Sequence, residues 1–195
     1  AVYTKQELAA LGEVLKKHPR VLIATDDMYE HIRLDDAPFV NILNACPDLA
    51  ERTLVLNGVS KAYSMTGWRI GYAGGPVELI KAMKKVQSQS TSNPTSIAQV
   101  AAEAALNGPQ DFIRVMVTAF EERHDFVVDR LNRMPGVSCL PTDGTFYLFP
   151  NVQELIERLD GEMWCESRPG HGARFAFRLP LFTGQPATAG KPPRG

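Results

Sequence analysis

Cysteine is scarce in this 195-residue chain: Cys46, Cys139 and Cys165 are odd in number, widely spaced and form no CxxC pair. Such usage excludes a disulfide framework or thiolate zinc site and reads as the reduced thiols of a cytoplasmic protein. Histidine is equally sparse, and His18, His31, His124 and His171 show no ligand spacing, so no metal site is expected. Neither sign of charge is in excess: 21 Lys and Arg stand against 22 Asp and Glu, for a formal net charge of -1. That balance leaves no electrostatic footprint for nucleic acid or for an anionic membrane surface. Long apolar runs are missing too. Val21-Leu22-Ile23-Ala24 is among the longest, far short of the roughly 20 residues of a spanning helix. The chain starts at Ala1 with no apolar signal core behind it, so a start inside a larger reading frame is expected.

What remains is an ordinary globular composition, 44% apolar and 22% charged, long enough for one sizeable core. Thr4-Lys5-Gln6-Glu7 has the form of a capping box, and Leu8, Leu11, Val14 and Leu15 repeat at helical spacing up to Pro19. Short β-branched or aliphatic runs at 21–25, 53–57 and 70–74 predict buried strands. Pro76 opens a helix, and helices are expected over 95–106 and 109–134, then strands at 137–140 and 145–149. This alternation argues for an α/β layered domain with a mainly parallel sheet. Beyond Asn151 the pattern becomes a short helix at 152–159 and two strands, 162–167 and 173–179, around Pro169-Gly170-His171-Gly172. Residues 183–195, rich in Pro, Gly and Ala, are expected to be disordered.

Asp26 and Tyr29 follow the first strand, Lys61 the second, and Arg69 opens the third. Three strand ends would therefore bring a carboxylate, a phenol, an amine and a guanidinium to one sheet edge, where α/β folds present ligand groups. Those four groups suit pyridoxal phosphate. A carboxylate keeps the pyridine nitrogen protonated, a phenol hydrogen-bonds the ring oxygen, the amine forms an imine and shuttles a proton, and the guanidinium grips the phosphate. Ser60-Lys61 alone might suggest a serine–lysine hydrolase, but no acid, base or oxyanion element accompanies it.

Asp26-Asp27-Met28-Tyr29 resembles the Asp-x-x-Tyr element of class I and II aminotransferases. Gly58-Val59-Ser60-Lys61-Ala62-Tyr63-Ser64-Met65-Thr66-Gly67-Trp68-Arg69-Ile70-Gly71 fits their cofactor-lysine signature, and with Asn57 and Tyr72 it is most similar to the bacterial aspartate aminotransferase branch. The resemblance runs over residues 1–152. It implies part of a fold type I large domain over 1–137 and the start of a small domain over 138–153. It also implies pyridoxal 5'-phosphate as cofactor, Lys61 as catalytic and Schiff-base residue, Asp26 at the pyridine nitrogen, Tyr29 at the ring oxygen and Arg69 at the phosphate. The reaction implied is transamination between an amino acid, aspartate-like, and a 2-oxo acid, in a homodimer with no nucleic-acid or membrane partner. The lysine signature alone leaves a fold type I lyase open.

The family pattern is met only in part. Its glycine-rich phosphate loop, stacking aromatic and Asn-Pro-x-Gly element would all precede Ala1, and Asn93-Pro94-Thr95-Ser96 lies after the lysine and ends in Ser. Gly58 stands where many relatives place a phosphate-binding hydroxyl. Residues 155–181, within a tail segment spanning 154–182, resemble the closing strands of a sensor histidine kinase ATPase domain and form a β-hairpin-like piece. That stretch lacks an Asn-bearing helix, Asp-x-Gly-x-Gly and a Gly-x-Gly-Leu-Gly lid, so an ATP-binding kinase reading is disfavoured, and Arg178 is not taken as a substrate arginine. The chain thus reads as a junction of two unrelated segments near Asn151. The alternative to an aminotransferase is a non-catalytic chimeric remnant that at most binds pyridoxal phosphate. Without an arginine to orient substrate, negligible turnover is expected of the isolated chain.

Overall fold

A computed structural model describes residues 2–35, 37–170 and 172–180. The first helix, α1 (Lys5–Lys16), starts as the sequence predicts: the Glu7 amide donates to the Thr4 hydroxyl at 3.2 Å and the Thr4 amide to the Glu7 carboxylate at 2.7 Å. Its Leu8 packs with Ile42 and Cys46 of the short helix α2 (Ile42–Ala45) and its C-cap, and with Leu49. The Arg52 guanidinium donates to the carbonyls of Leu15, His18 and Val21, closing the end of α1 over the entry to the sheet.

Three strands form that sheet in the order β1 (Ile23–Asp26), β2 (Thr53–Gly58), β3 (Gly71–Gly74). β1 and β2 run parallel, Asp26 opposite Leu56, whereas β3 returns antiparallel, Gly71 opposite Gly58. Among the described residues parallel pairing is therefore confined to one pair, narrower than the mainly parallel sheet expected. The reason is the connection. A parallel return needs a crossover, usually a helix, while residues 59–70 carry the lysine loop and only a three-residue 3-10 turn, Thr66–Trp68.

Behind this loop lies the second core: Val59, Ala62 and Tyr63 pack with Ala102 of α4 (Ser96–Asn107) and Ile113 of α5 (Asp111–Asn132). Pro76 caps rather than enters α3 (Val77–Ser88). Neither strand expected at 137–140 or 145–149 forms. Isolated bridges join Ser138 to Asn151 and Arg33 to Gly144 instead. Pro141 and Pro150 lack the amide a ladder needs, and Thr145 adopts φ +70°, which breaks extended backbone.

The described residues fall into two compact units, one within 2–125 together with Pro141–Tyr147, the other Phe126–Leu140 together with those within 148–180. In the second, α6 (Gln153–Arg158) precedes the antiparallel hairpin of β4 (Glu162–Arg168) and β5 (Gly172–Arg178), closed by an Arg178–Glu162 ion pair at 2.7 Å. The segment 183–195 lies outside the described residues.

Candidate active site

Register brings the ends of β1 and β2 and the start of β3 to one edge of the sheet, with the lysine loop closing it. The backbones approach closely there. A Cβ at Gly58 would stand 3.0 Å from both Gly71 Cα and Met28 Cε and 3.1 Å from the Ile70 carbonyl oxygen. A side chain at this position would crowd the Gly71 backbone, which would have to give by a few tenths of an ångström.

Asp26 is exposed, and its carboxylate accepts from the Met28 amide at 3.2 Å. Alternation along the strand turns its neighbour the other way. Asp27 is buried and accepts from Thr25 Oγ1 at 2.7 Å and Asn41 Nδ2 at 2.8 Å. The Tyr29 hydroxyl lies 2.9 Å from that of Tyr147, and its ring meets Phe146 and Tyr147 edge-on at centroid distances of 5.6 and 5.8 Å. Burial, then the Tyr147 hydroxyl and the Asp26 charge, push the Tyr29 phenol up to about 12.

Lys61 is half-buried, and its Nζ sits 5.7 Å from the Tyr29 ring centroid and 5.6 Å from that of Phe146. Attraction to the ring faces holds the ammonium there, and no ion pair to Lys61 is found among the described residues. Its neighbours Ala62 and Tyr63 anchor the loop, with the Tyr63 hydroxyl donating to Gln110 Oε1 at 2.9 Å. Arg69 holds a left-handed backbone, φ 52° and ψ 48°, a strained state for a residue with a side chain. Its Nη1 donates to the Thr66 carbonyl at 2.9 Å.

Of the four residues singled out by sequence, Tyr29 and Lys61 meet directly, and Asp26 lies near enough to raise the phenol. The Arg69 guanidinium is hydrogen-bonded within its own loop, and among the described residues no hydrogen bond or ion pair joins it to the other three. Sequence reasoning overlooked Phe146 and Tyr147, read only as part of a strand. A paired aromatic after Gly144-Thr145 was the available signal. A cavity of about 570 Å³ on the β1 side is lined by Asp26, Asp27, Tyr29 and Tyr147, with Leu8 and Leu11 of α1; Lys61 and Arg69 do not line it.

The donor set is one for a phosphorylated carbonyl compound with a basic ring nitrogen: an amine bound to no carboxylate, a protonated phenol beside it, an exposed carboxylate and an exposed guanidinium. The family model for aminotransferases of class I and II matches residues 1–166, and the chain belongs to that family. It is 62% identical over 160 residues to the aspartate/prephenate aminotransferase of Nitrosomonas europaea, covering 82% of this chain and 40% of that protein. Among solved structures, the aspartate aminotransferase of Rhizobium meliloti aligns with a TM-score of 0.78 at 52% identity, over 80% of this chain and 39% of that one. The aromatic aminotransferase of Pyrococcus horikoshii aligns with a TM-score of 0.72 at 34% identity, over 77% and 40%. The chain spans about 40% of the length of the relatives it matches. The partial fold type I large domain expected from the resemblance is borne out, and the family match continues past residue 152. The cofactor of this family is pyridoxal 5'-phosphate, and the amine, phenol and carboxylate gathered here fit it.

Proposed function

We propose that the chain carries the cofactor-lysine site of an aminotransferase that moves an amino group from an aspartate-like amino acid to a 2-oxo acid. The observation that carries this reading is the Lys61 amine, held over the Tyr29 and Phe146 rings and paired with no carboxylate among the described residues. When bound, pyridoxal phosphate supplies a carbonyl carbon for an amine and a ring that accepts electrons. Lys61 Nζ would hold that carbonyl carbon and, once released, carry the proton of the substrate α-carbon. Tyr29 would donate to the ring oxygen, Asp26 would keep the ring nitrogen protonated, and Arg69 would grip the phosphate after giving up Thr66.

The partners proposed are the two substrates and a second copy of the chain. Exposed apolar residues on α3 and α4, Val86, Ile97 and Val100 among them, support association. No helix among the described residues is long and apolar enough to cross a membrane. A cytoplasmic setting is supported by Cys46, Cys139 and Cys165 all being free thiols.

The test adds pyridoxal phosphate to the purified chain, fixes the product with borohydride and maps the added mass. A single adduct on Lys61 is expected, with negligible amino transfer from the isolated chain, and Lys61→Ala should abolish the adduct. Adduct scattered over surface lysines rejects the proposal.

A further inference from the structure

We propose that Tyr147 is a positioning residue of the lysine site: its hydroxyl holds the Tyr29 phenol, and with Phe146 it fixes the aromatic face on which the Lys61 amine rests. The inference rests on the reading of Lys61 given above and adds a residue 118 positions from Tyr29 in sequence.

The segment bearing Tyr147 is pinned where it must be to do this. The Thr145 amide donates to the Ile32 carbonyl at 2.8 Å and the Leu34 amide to the Asp143 carbonyl at 2.9 Å. Gly144 is buried at the bridge to Arg33, where a Cβ would come within 2.9 Å of the Ile32 carbonyl. The left-handed Thr145 then turns the chain, and its hydroxyl accepts from the Tyr147 amide at 3.2 Å. Phe146 is braced from behind by Phe120, at a centroid distance of 5.2 Å. The turn carrying Tyr29 and the segment carrying Tyr147 are thus one tied structure.

A phenol turns freely about its C–O bond and donates wherever an acceptor offers. Either hydroxyl of the Tyr29–Tyr147 pair can donate across the 2.9 Å contact, so the bond fixes where the Tyr29 oxygen sits, and each further bond of such a chain strengthens the next. Tyr147 therefore acts through Tyr29 rather than on the ligand.

Tyr147→Phe, Tyr29→Phe and the double variant test this in a cycle. The readouts are pyridoxal phosphate affinity by absorbance, the pH midpoint of the bound chromophore, and thermal melts of the cofactor-free proteins. Tyr147→Phe should bind roughly five-fold more weakly, the equivalent of one ordinary hydrogen bond. Its chromophore midpoint should move in the same direction as in Tyr29→Phe, and the double variant should match Tyr29→Phe alone. Parent-like binding and midpoint in Tyr147→Phe, or further weakening when it is added to Tyr29→Phe, would overturn the role. Should Tyr147→Phe melt early, Tyr147→His, which keeps a ring donor, must out-bind Tyr147→Leu; equal binding by the two overturns it. A parent chain that forms no Lys61 adduct sinks the lysine site and this role together, whereas a parent adduct unmoved by Tyr147→Phe sinks only the role of Tyr147.

Discussion

Asp26 and Asp27 are identical side chains one bond apart in sequence, and the strand assigns them opposite fates. Asp26 faces solvent at the sheet edge with a backbone amide as its partner, while Asp27 is buried between Thr25 and Asn41. Removing one of those donors should be costly. Asn41→Ala deletes the cap of α2 and strips a donor from a buried carboxylate, for a loss of about 2–3 kcal/mol, measurable as a lower urea midpoint. Tyr29 offers a second test at this scale. Its pKa rises from 10.0 to about 12 on folding, so the folded chain keeps a proton that the unfolded chain releases. The stabilisation is complete below pH 10 and is lost as pH rises through about 12. Melting temperatures should fall over that interval, and Tyr29→Phe should show a shallower decline; equal slopes would contradict the burial assigned to this phenol.

The helix–helix contact is decided by one glycine. Gly12 of α1 lies against Cys46, and a Cβ there would overlap the sulfur. Gly12→Ala gains about 1 kcal/mol of helix propensity but overpacks the core by about 1–3 kcal/mol. A net loss of stability is expected by chemical denaturation. The capping box of α1 and the apolar faces of the helices were legible in the sequence, since their causes lie within one or two turns. The failed strands at 137–140 and 145–149 were not. Their residues have strand character, but prolines and a left-handed Thr145 deny them a ladder, and pairing depends on a partner far away in the chain.

Across the whole molecule, β1 and β3 are the sheet's edges among the described residues, and large apolar side chains stay exposed: Leu22 at 65%, Val86 and Ile97 at 70%, Val115 at 72%. Edges and faces of this kind promote association. Sedimentation and light scattering should show mass rising with concentration, and a monomer at all concentrations would count against the proposed homodimer.

By itself the sequence determined the family likeness of the lysine loop, because Lys61, Arg69 and the residues around them carry it through spacing along a few consecutive positions. It likewise determined the spacing of Asp26 and Tyr29, three residues apart at a strand end. Only the tertiary structure decided which aromatic rings receive the Lys61 amine, that Tyr147 reaches Tyr29, and that the Gly71 backbone crowds Gly58. Each of these depends on segments brought together by packing and register, and local spacing carries no information about such distances.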